Sequence, residues 1–254
     1  MRFKKTLILI LALLPWIELV AEDEYYQTLF EQGNAAYKSG QYDSARSIYM
    51  EIAQSGMVSS KLFYNIGNAH FKGGNIPASI LYYERALRLK PNDEDIKYNL
   101  NIAEGFITDK IEPIEPVFIA KWWNELALNF TTNFWAIFFL VLMLISAALF
   151  TVFFLSPKRR KKQLGLIGSL VAMIVAVGIF LLGNTSLNNL QKQEAIVFAP
   201  SVNVKSEPGL NATDQFVIHQ GLKVMLLAED GDWTRIKLSD GNSGWLPTQS
   251  IEPI

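Results

Sequence analysis

Gly33-Asn34-Ala35-Ala36-Tyr37-Lys38-Ser39-Gly40 returns further along the chain as Gly67-Asn68-Ala69-His70-Phe71-Lys72-Gly73-Gly74. The offset is 34 residues, and it also relates Phe30 to Tyr64 and Tyr49 to Tyr83. A fixed period of this length marks stacked supersecondary units, each too small to bury its own apolar face. Gly33 and Gly67 fall where the two helices of one unit touch, and Ala45 and Ser79 supply small residues on the second helix. Gly40 and Gly74 end the first helix in the left-handed backbone that glycine adopts without strain. Pro91 closes the second unit. Ile96, Leu100 and Ala103 then restart the helical pattern, and Tyr98-Asn99 repeats Tyr64-Asn65. No second helix follows, so this stretch is expected to cap the array. The expectation for residues 22–110 is two helix-turn-helix units, about 26–59 and 60–93, and a capping helix. Two units and a cap are few, so the region is expected to lean on a neighbour.

These residues resemble the tetratricopeptide repeat. Ile52, Met57 and Ser79 depart from that family's usual residues at their positions. Phe30, Asn34 and Tyr37, and again Tyr64, Asn68 and Phe71, fall at i, i+4 and i+7, one stripe on each first helix. The resemblance puts this stripe, with Lys38, Lys72 and Tyr98 beside it, on the concave face that binds partners. The competing reading is that the aromatics only pack between repeats. Relatives that clamp a C-terminal carboxylate carry lysine where Phe30 and Tyr64 stand, so that mode is not expected.

Half of the 254 residues are hydrophobic, 19% are charged and mean hydropathy is +0.17, which points to contact with lipid. Residues 1–21 read as an export signal, with Arg2, Lys4 and Lys5 before an apolar run; an uncleaved anchor is the alternative. Two charge-free runs, 134–155 and 164–183, are each long enough to span a bilayer. Residues 156–163 between them hold Lys158, Arg159, Arg160, Lys161 and Lys162 and read as a cytoplasmic loop. Both flanking regions then lie on the outer side. Gly168, Ala172 and Ala176 offer a small-residue stripe for the first span, with Ser146, Ala147 and Ala148 facing it. Residues 111–133 read as a proline-containing spacer and an amphipathic segment at the interface. Its stripe is Phe118, Trp122, Leu126 and Phe130, with Trp122, Trp123 and Trp135 as anchors.

From Ala195 the period switches to two, with Val202, Val204, Val224, Leu226 and Ile236 alternating between turns at Glu207-Pro208-Gly209, Asp230-Gly231-Asp232 and Asp240-Gly241-Asn242. In order, Val202 to Ser206, Gly221 to Val224, Trp233, and Gly244-Trp245-Leu246 resemble the bacterial SH3 domain over residues 195–254. That resemblance implies a small barrel whose exposed aromatics bind peptides or cell-wall fragments. Trp233 and Trp245 are the candidates, with Trp245 expected to close the barrel and Trp233 to be the exposed one.

Residues 22–116 carry 9 basic against 14 acidic side chains and residues 194–254 carry 4 against 8, which disfavours nucleic acid as a partner. The chain has no cysteine, and His70 and His219 are isolated from other metal-ligand residue types, so neither a metal nor a cofactor is expected. There is no phosphate loop and no nucleophile elbow, and no catalytic residue is assigned. The fold class expected is a multidomain membrane protein, with an all-α repeat domain, two transmembrane helices and an all-β SH3-like barrel.

Over the whole chain this order, together with Tyr98 to Glu104 leading to Asp109-Lys110-Ile111-Glu112-Pro113, resembles the BatE family of the Bacteroides aerotolerance operon. The resemblance implies a non-enzymatic scaffold of the bacterial inner membrane. Its partners would be Bat proteins with von Willebrand A domains and a MoxR-type ATPase, in a role linked to oxygen tolerance. The contrasting expectation is a tether whose barrel binds peptidoglycan.

Overall fold

The computed structural model describes residues 24–112, 114 and 117–254. The export signal expected over residues 1–21 and the prolines of the spacer lie outside the described residues. The chain forms two compact units: the described residues up to Glu112 join Glu194–Ile254 in one, and Pro113–Gln193 make the other.

Among the described residues the first unit holds five helices, α1 over residues 24–38, α2 Tyr42–Gln54, α3 Ser60–Lys72, α4 Ile76–Leu89 and α5 Glu94–Glu104. Their ends follow from local chemistry. Ser59 and Asn75 accept the amides of Leu62 and Ala78, and Asp93 accepts those of Asp95 and Ile96, so three helix starts are capped. Gly40 and Gly74 end α1 and α3 at φ of +77° and +79°. Lys90, at φ −140° and ψ 78°, has left the helical region because it precedes Pro91. The pairs α1–α2 and α3–α4 close on glycine: a Cβ on Gly33 would lie 2.5 Å from Tyr49 Cε1, and one on Gly67 would lie 2.6 Å from Tyr83 Cδ1. Ala45 and Ser79 are fully buried, and Ile96, Leu100 and Ala103 turn the inner face of α5 onto the same core. His70 stacks flat on Tyr82 at 5.5 Å, and burial pulls its pKa down to about 4, so it is a neutral core ring at physiological pH.

Seven strands complete this unit: β1 Glu194–Val197, β2 Ser201–Lys205, β3 Asp214–His219, β4 Lys223–Asp230, β5 Trp233–Lys237, β6 Ser243–Pro247 and β7 Ile251–Pro253. They form one antiparallel sheet in the order β3-β2-β6-β5-β4-β1-β7. Its core is Ala195, Val197, Val204, Ile218, Val224, Ile236 and Leu246. Gly244 lets β6 pass close to β2, since a Cβ there would lie 2.6 Å from Val204 Cγ1.

The neighbour on which the short repeat array leans is this barrel. Ile196, Phe198 and Ile254 join the helical core, while Ile107 and Ile111, just past α5, pack into the barrel core. Lys223 Nζ meets Glu84 Oε1 at 2.7 Å, and Arg85 and Arg88 donate to the carbonyl oxygens of Pro253 and Ile254 at 2.7 and 2.6 Å. Asp109 accepts the His219 amide at 2.6 Å and contacts its ring Nδ1 at 2.8 Å. Gly221, at φ of +90°, leaves only enough room for Ile107, 2.5 Å from where a Cβ would stand.

The second unit holds α6 Phe118–Leu128, α7 Thr132–Leu155 and α8 Arg159–Leu190. Helices α7 and α8 are long and apolar enough to cross a membrane. They pack on each other along small residues: Ala176 is fully buried, Ser146 Oγ donates to the Ser169 carbonyl, and a Cβ on Gly165 would lie 2.8 Å from the Leu149 oxygen. The intervening cations differ from expectation. Arg159 to Lys162 form the first turn of α8 and only Lys158 remains in the connection, because long unbranched side chains favour helix and continue the span.

Candidate partner-binding site

Asparagines at the repeat spacing build the inner face of the helices. Asn34 Oδ1 accepts the Tyr49 hydroxyl at 2.7 Å and the Asn65 amide at 2.9 Å. One period later Asn68 Oδ1 accepts the Tyr83 hydroxyl at 2.7 Å and the Asn99 amide at 3.5 Å. Asn99 Nδ2 also donates to the Tyr64 hydroxyl at 2.5 Å, a bond that Phe30 has no oxygen to repeat. Burial raises the Tyr49 pKa to about 12 and that of Tyr83 higher still, so both phenols stay donors. Asn34, Tyr37, Lys38, Tyr49, Asn65 and Asn68 line a cleft of about 130 Å³.

The expected stripe therefore divides. Phe30 and Tyr64 pack against Tyr49 and Tyr83 and belong chiefly to the helix contacts. Asn34 and Asn68 join both roles, since their oxygens tie the helices together while the cleft runs over them. Tyr37 lines the cleft with Lys38, whereas Lys72 is exposed and Phe71 stacks edge-on against Phe106. Tyr98 stands 67% exposed, because α5 has no second helix to cover the position that Tyr64 occupies in the unit before. Asn65 and Asn99 carry half of the network without belonging to the predicted stripe. Their signal was the Tyr-Asn pair repeated at the same period.

On the barrel, strand parity decides the tryptophans. Gly244 and Leu246 point into the core, so Trp245 between them faces out and is half-buried. The expectation that Trp245 closes the core is corrected by that alternation. Trp233 is also half-buried on the outer side of β5, opposite Pro247, and Trp245 lies between Arg235 on one neighbour strand and Lys205 on the other. Both indoles thus share one outer face with cations beside them. Among the described residues no cluster of three or more histidine or carboxylate groups is placed to hold a metal.

Two families are recognisable in these parts. The tetratricopeptide repeat profile matches residues 60–93, and the bacterial SH3 domain profile matches residues 200–252. The chain is 38% identical over 53 residues to the Bacillus subtilis (strain 168) protein YrvJ, named as an N-acetylmuramoyl-L-alanine amidase. That stretch covers 21% of this chain and only 10% of YrvJ. Repeat and barrel modules of these families are protein-binding parts, and the chain carries both within one compact unit.

Proposed function

We propose that the chain is a non-catalytic scaffold of the bacterial inner membrane, with the α7–α8 hairpin as anchor and the repeat-barrel unit on the outer side. One observation carries the reading: the cleft over Asn34 and Asn68 presents amides and the Lys38 cation on a face that the barrel leaves uncovered at that end of the array. Such a surface suits an extended peptide with acidic side chains, read by amide hydrogen bonds and one or two cations. The whole-chain resemblance supplies the partners to try first, Bat-family von Willebrand A proteins and a MoxR-type ATPase complex, and with them a role in oxygen or stress tolerance.

Asn68→Ala is unsuitable as a test, because it strands the buried Tyr83 hydroxyl. Lys38→Glu with Lys72→Glu leaves every described hydrogen bond in place. This pair is expected to abolish co-purification of the partner from detergent-solubilised membranes while thermal unfolding stays within about 0.5 kcal/mol of the parent. Unchanged co-purification removes the cleft from the proposal.

The sidedness rests on the five cations Lys158 to Lys162 at the tip of the hairpin. Alkaline phosphatase fused after Ile254 should be active and at Lys162 inactive. The opposite pattern inverts the topology.

A second reading, that the barrel binds peptidoglycan, is favoured by the likeness to YrvJ, whose matched stretch is as long as the barrel's own family match. Trp233→Ala and Trp245→Ala both leave the barrel core intact and should cost about 1 kcal/mol each. If the reading holds, each weakens sedimentation of the full-length chain with purified sacculi. Equal sedimentation of both variants and the parent would count against the outer face as the wall-binding surface.

A further inference from the structure

Helix α6 carries a broad apolar arc, and the protein covers only half of it. On the inner half Trp123, Leu126 and Ala127 pack against Trp135, Ile179 and Leu182. Two indole bonds fix this side, Trp123 Nε1 donating to Thr185 Oγ1 at 3.1 Å and Trp135 Nε1 to the Ala127 carbonyl at 2.9 Å. On the outer half Phe118, Ile119 and Trp122 stand 82%, 76% and 55% exposed. At 3.6 residues per turn these three fall in one sector of about 100°, while Lys121, Asn124 and Glu125 take the remaining side, with Glu125 bordering Phe118. The stripe expected from four-residue spacing thus splits. Leu126 turns inward while Phe118, Trp122 and Phe130 stay outside, and of the expected anchors Trp123 and Trp135 serve the protein interior while Trp122 is left outside beside Ile119.

The place of α6 on the hairpin tells what covers that outer face. Thr132 and Ser186 hydrogen-bond at 3.1 Å, so the start of α7 and the late turns of α8 lie side by side at this end. Here the apolar run of α8 gives way, after Gly183, to Asn184, Thr185, Ser186, Asn188 and Asn189. Helix α6 is fastened at this change from apolar to polar. Just past the end of α6, the exposed Phe130 stacks on Phe134 at 4.4 Å and joins the exposed apolar flank of α7 at Ile137 and Phe138. Aromatic side chains at such a boundary, on a helix with a charged opposite edge, are the pattern of an interfacial element.

We propose that the outer face of α6 is a lipid-binding surface, seated in the headgroup region of the leaflet at the Thr132 end of the hairpin, the end opposite the Lys158–Lys162 cations. This rests on the reading that α7 and α8 span the membrane. The surface fixes the depth of the anchor through Phe118, Ile119 and Trp122, and its charged edge through Lys121 and Glu125 faces water. An aqueous partner protein would require no continuity with the flank of the hairpin.

The chain has no cysteine, so single labels are clean. Ile119→Cys, Lys121→Cys and Leu144→Cys variants of the full chain, each carrying an environment-sensitive fluorophore, are reconstituted in phosphatidylethanolamine–phosphatidylglycerol vesicles with nitroxide lipids. Leu144 is an exposed mid-span position on α7. The expected result is that the Ile119 label loses most of its emission to a nitroxide near the headgroup, the Leu144 label to one near the chain terminus, and the Lys121 label to aqueous iodide. A Leu144 label quenched by lipid beside an Ile119 label quenched only by iodide overturns the inference and leaves the hairpin reading standing. Iodide quenching at both Ile119 and Leu144 overturns the two together.

Discussion

Tyr83→Ala is expected to unfold the repeat array at temperatures where the parent is native. The ring is 1% exposed, fills the space opposite Gly67 and lies against Tyr64, so its loss leaves a cavity that close helix packing cannot collapse. Truncation of a buried aromatic costs about 3–5 kcal/mol, a large share of the stability of a small domain. The hydroxyl adds a second effect, because Asn68 Oδ1 keeps only its longer bond from Asn99. Tyr83→Phe isolates that part and should cost about 1 kcal/mol. Circular dichroism melting of the full chain in detergent, followed at the helix signal, separates the two. A Tyr83→Ala variant that melts with the parent would show that the glycine-to-tyrosine contact does not hold the pair of helices.

The second large effect is expected at the joint between repeats and barrel. Glu84 on α4 has a side chain only 10% exposed, and its partner is Lys223 on β4 at 2.7 Å. Burial opposes the charge on Lys223, but Glu84, Glu194 and Glu104 outweigh it and hold its pKa above the ordinary lysine value. Burial and the nearby Glu84 raise the pKa of Glu104 against the pull of Lys223 and Lys110, so the acidic site is crowded around Lys223. Lys223→Met therefore strands Glu84. Breaking a buried pair costs about 3–5 kcal/mol, and the 38% exposure of the lysine side chain brings the expectation down to about 2 kcal/mol. Glu84→Leu combined with Lys223→Met should recover most of that loss, since neither charge then needs a partner. Limited proteolysis of the segment 105–112, which bridges the two parts, is the sensitive measurement. A single variant no more susceptible than the parent would remove the ion pair from the joint.

What the sequence makes legible follows from the range of each interaction. The repeat spacing exposes every contact that recurs at it: Gly33 with Tyr49 and Gly67 with Tyr83 are the same contact twice. The capping helix and the barrel turns are local, and their glycines and asparagines announce them. The side to which Trp245 points was available from parity, because a residue between an inward glycine and an inward leucine has to face outward. The joint is different in kind. Glu84 with Lys223, Asp109 with His219, and Arg85 with Pro253 are separated by more than a hundred residues. No periodicity connects such positions, and Glu84, Lys223, Asp109 and Arg85 each read by themselves as an ordinary surface charge. The cleft was legible as a stripe but not as a network, since Asn65 and Asn99 sit one residue off the predicted face and enter only through the stacking of neighbouring units.

The first unit is discontinuous: its helical segment, with the stretch after α5, runs to Glu112 and its barrel begins at Glu194, with the whole of α6, α7 and α8 synthesised in between. At about 5–20 residues per second, the repeats wait on the order of ten seconds after emergence before the barrel exists. During that interval the face of α4 that will meet Lys223, Pro253 and Ile254, and the core surface that will hold Ile196 and Phe198, are uncovered. Completion of the barrel thus reports that the hairpin has already been made. A chain stalled within the hairpin would carry an open, apolar repeat surface, the kind of surface by which quality-control proteases and holding chaperones recognise an unfinished product.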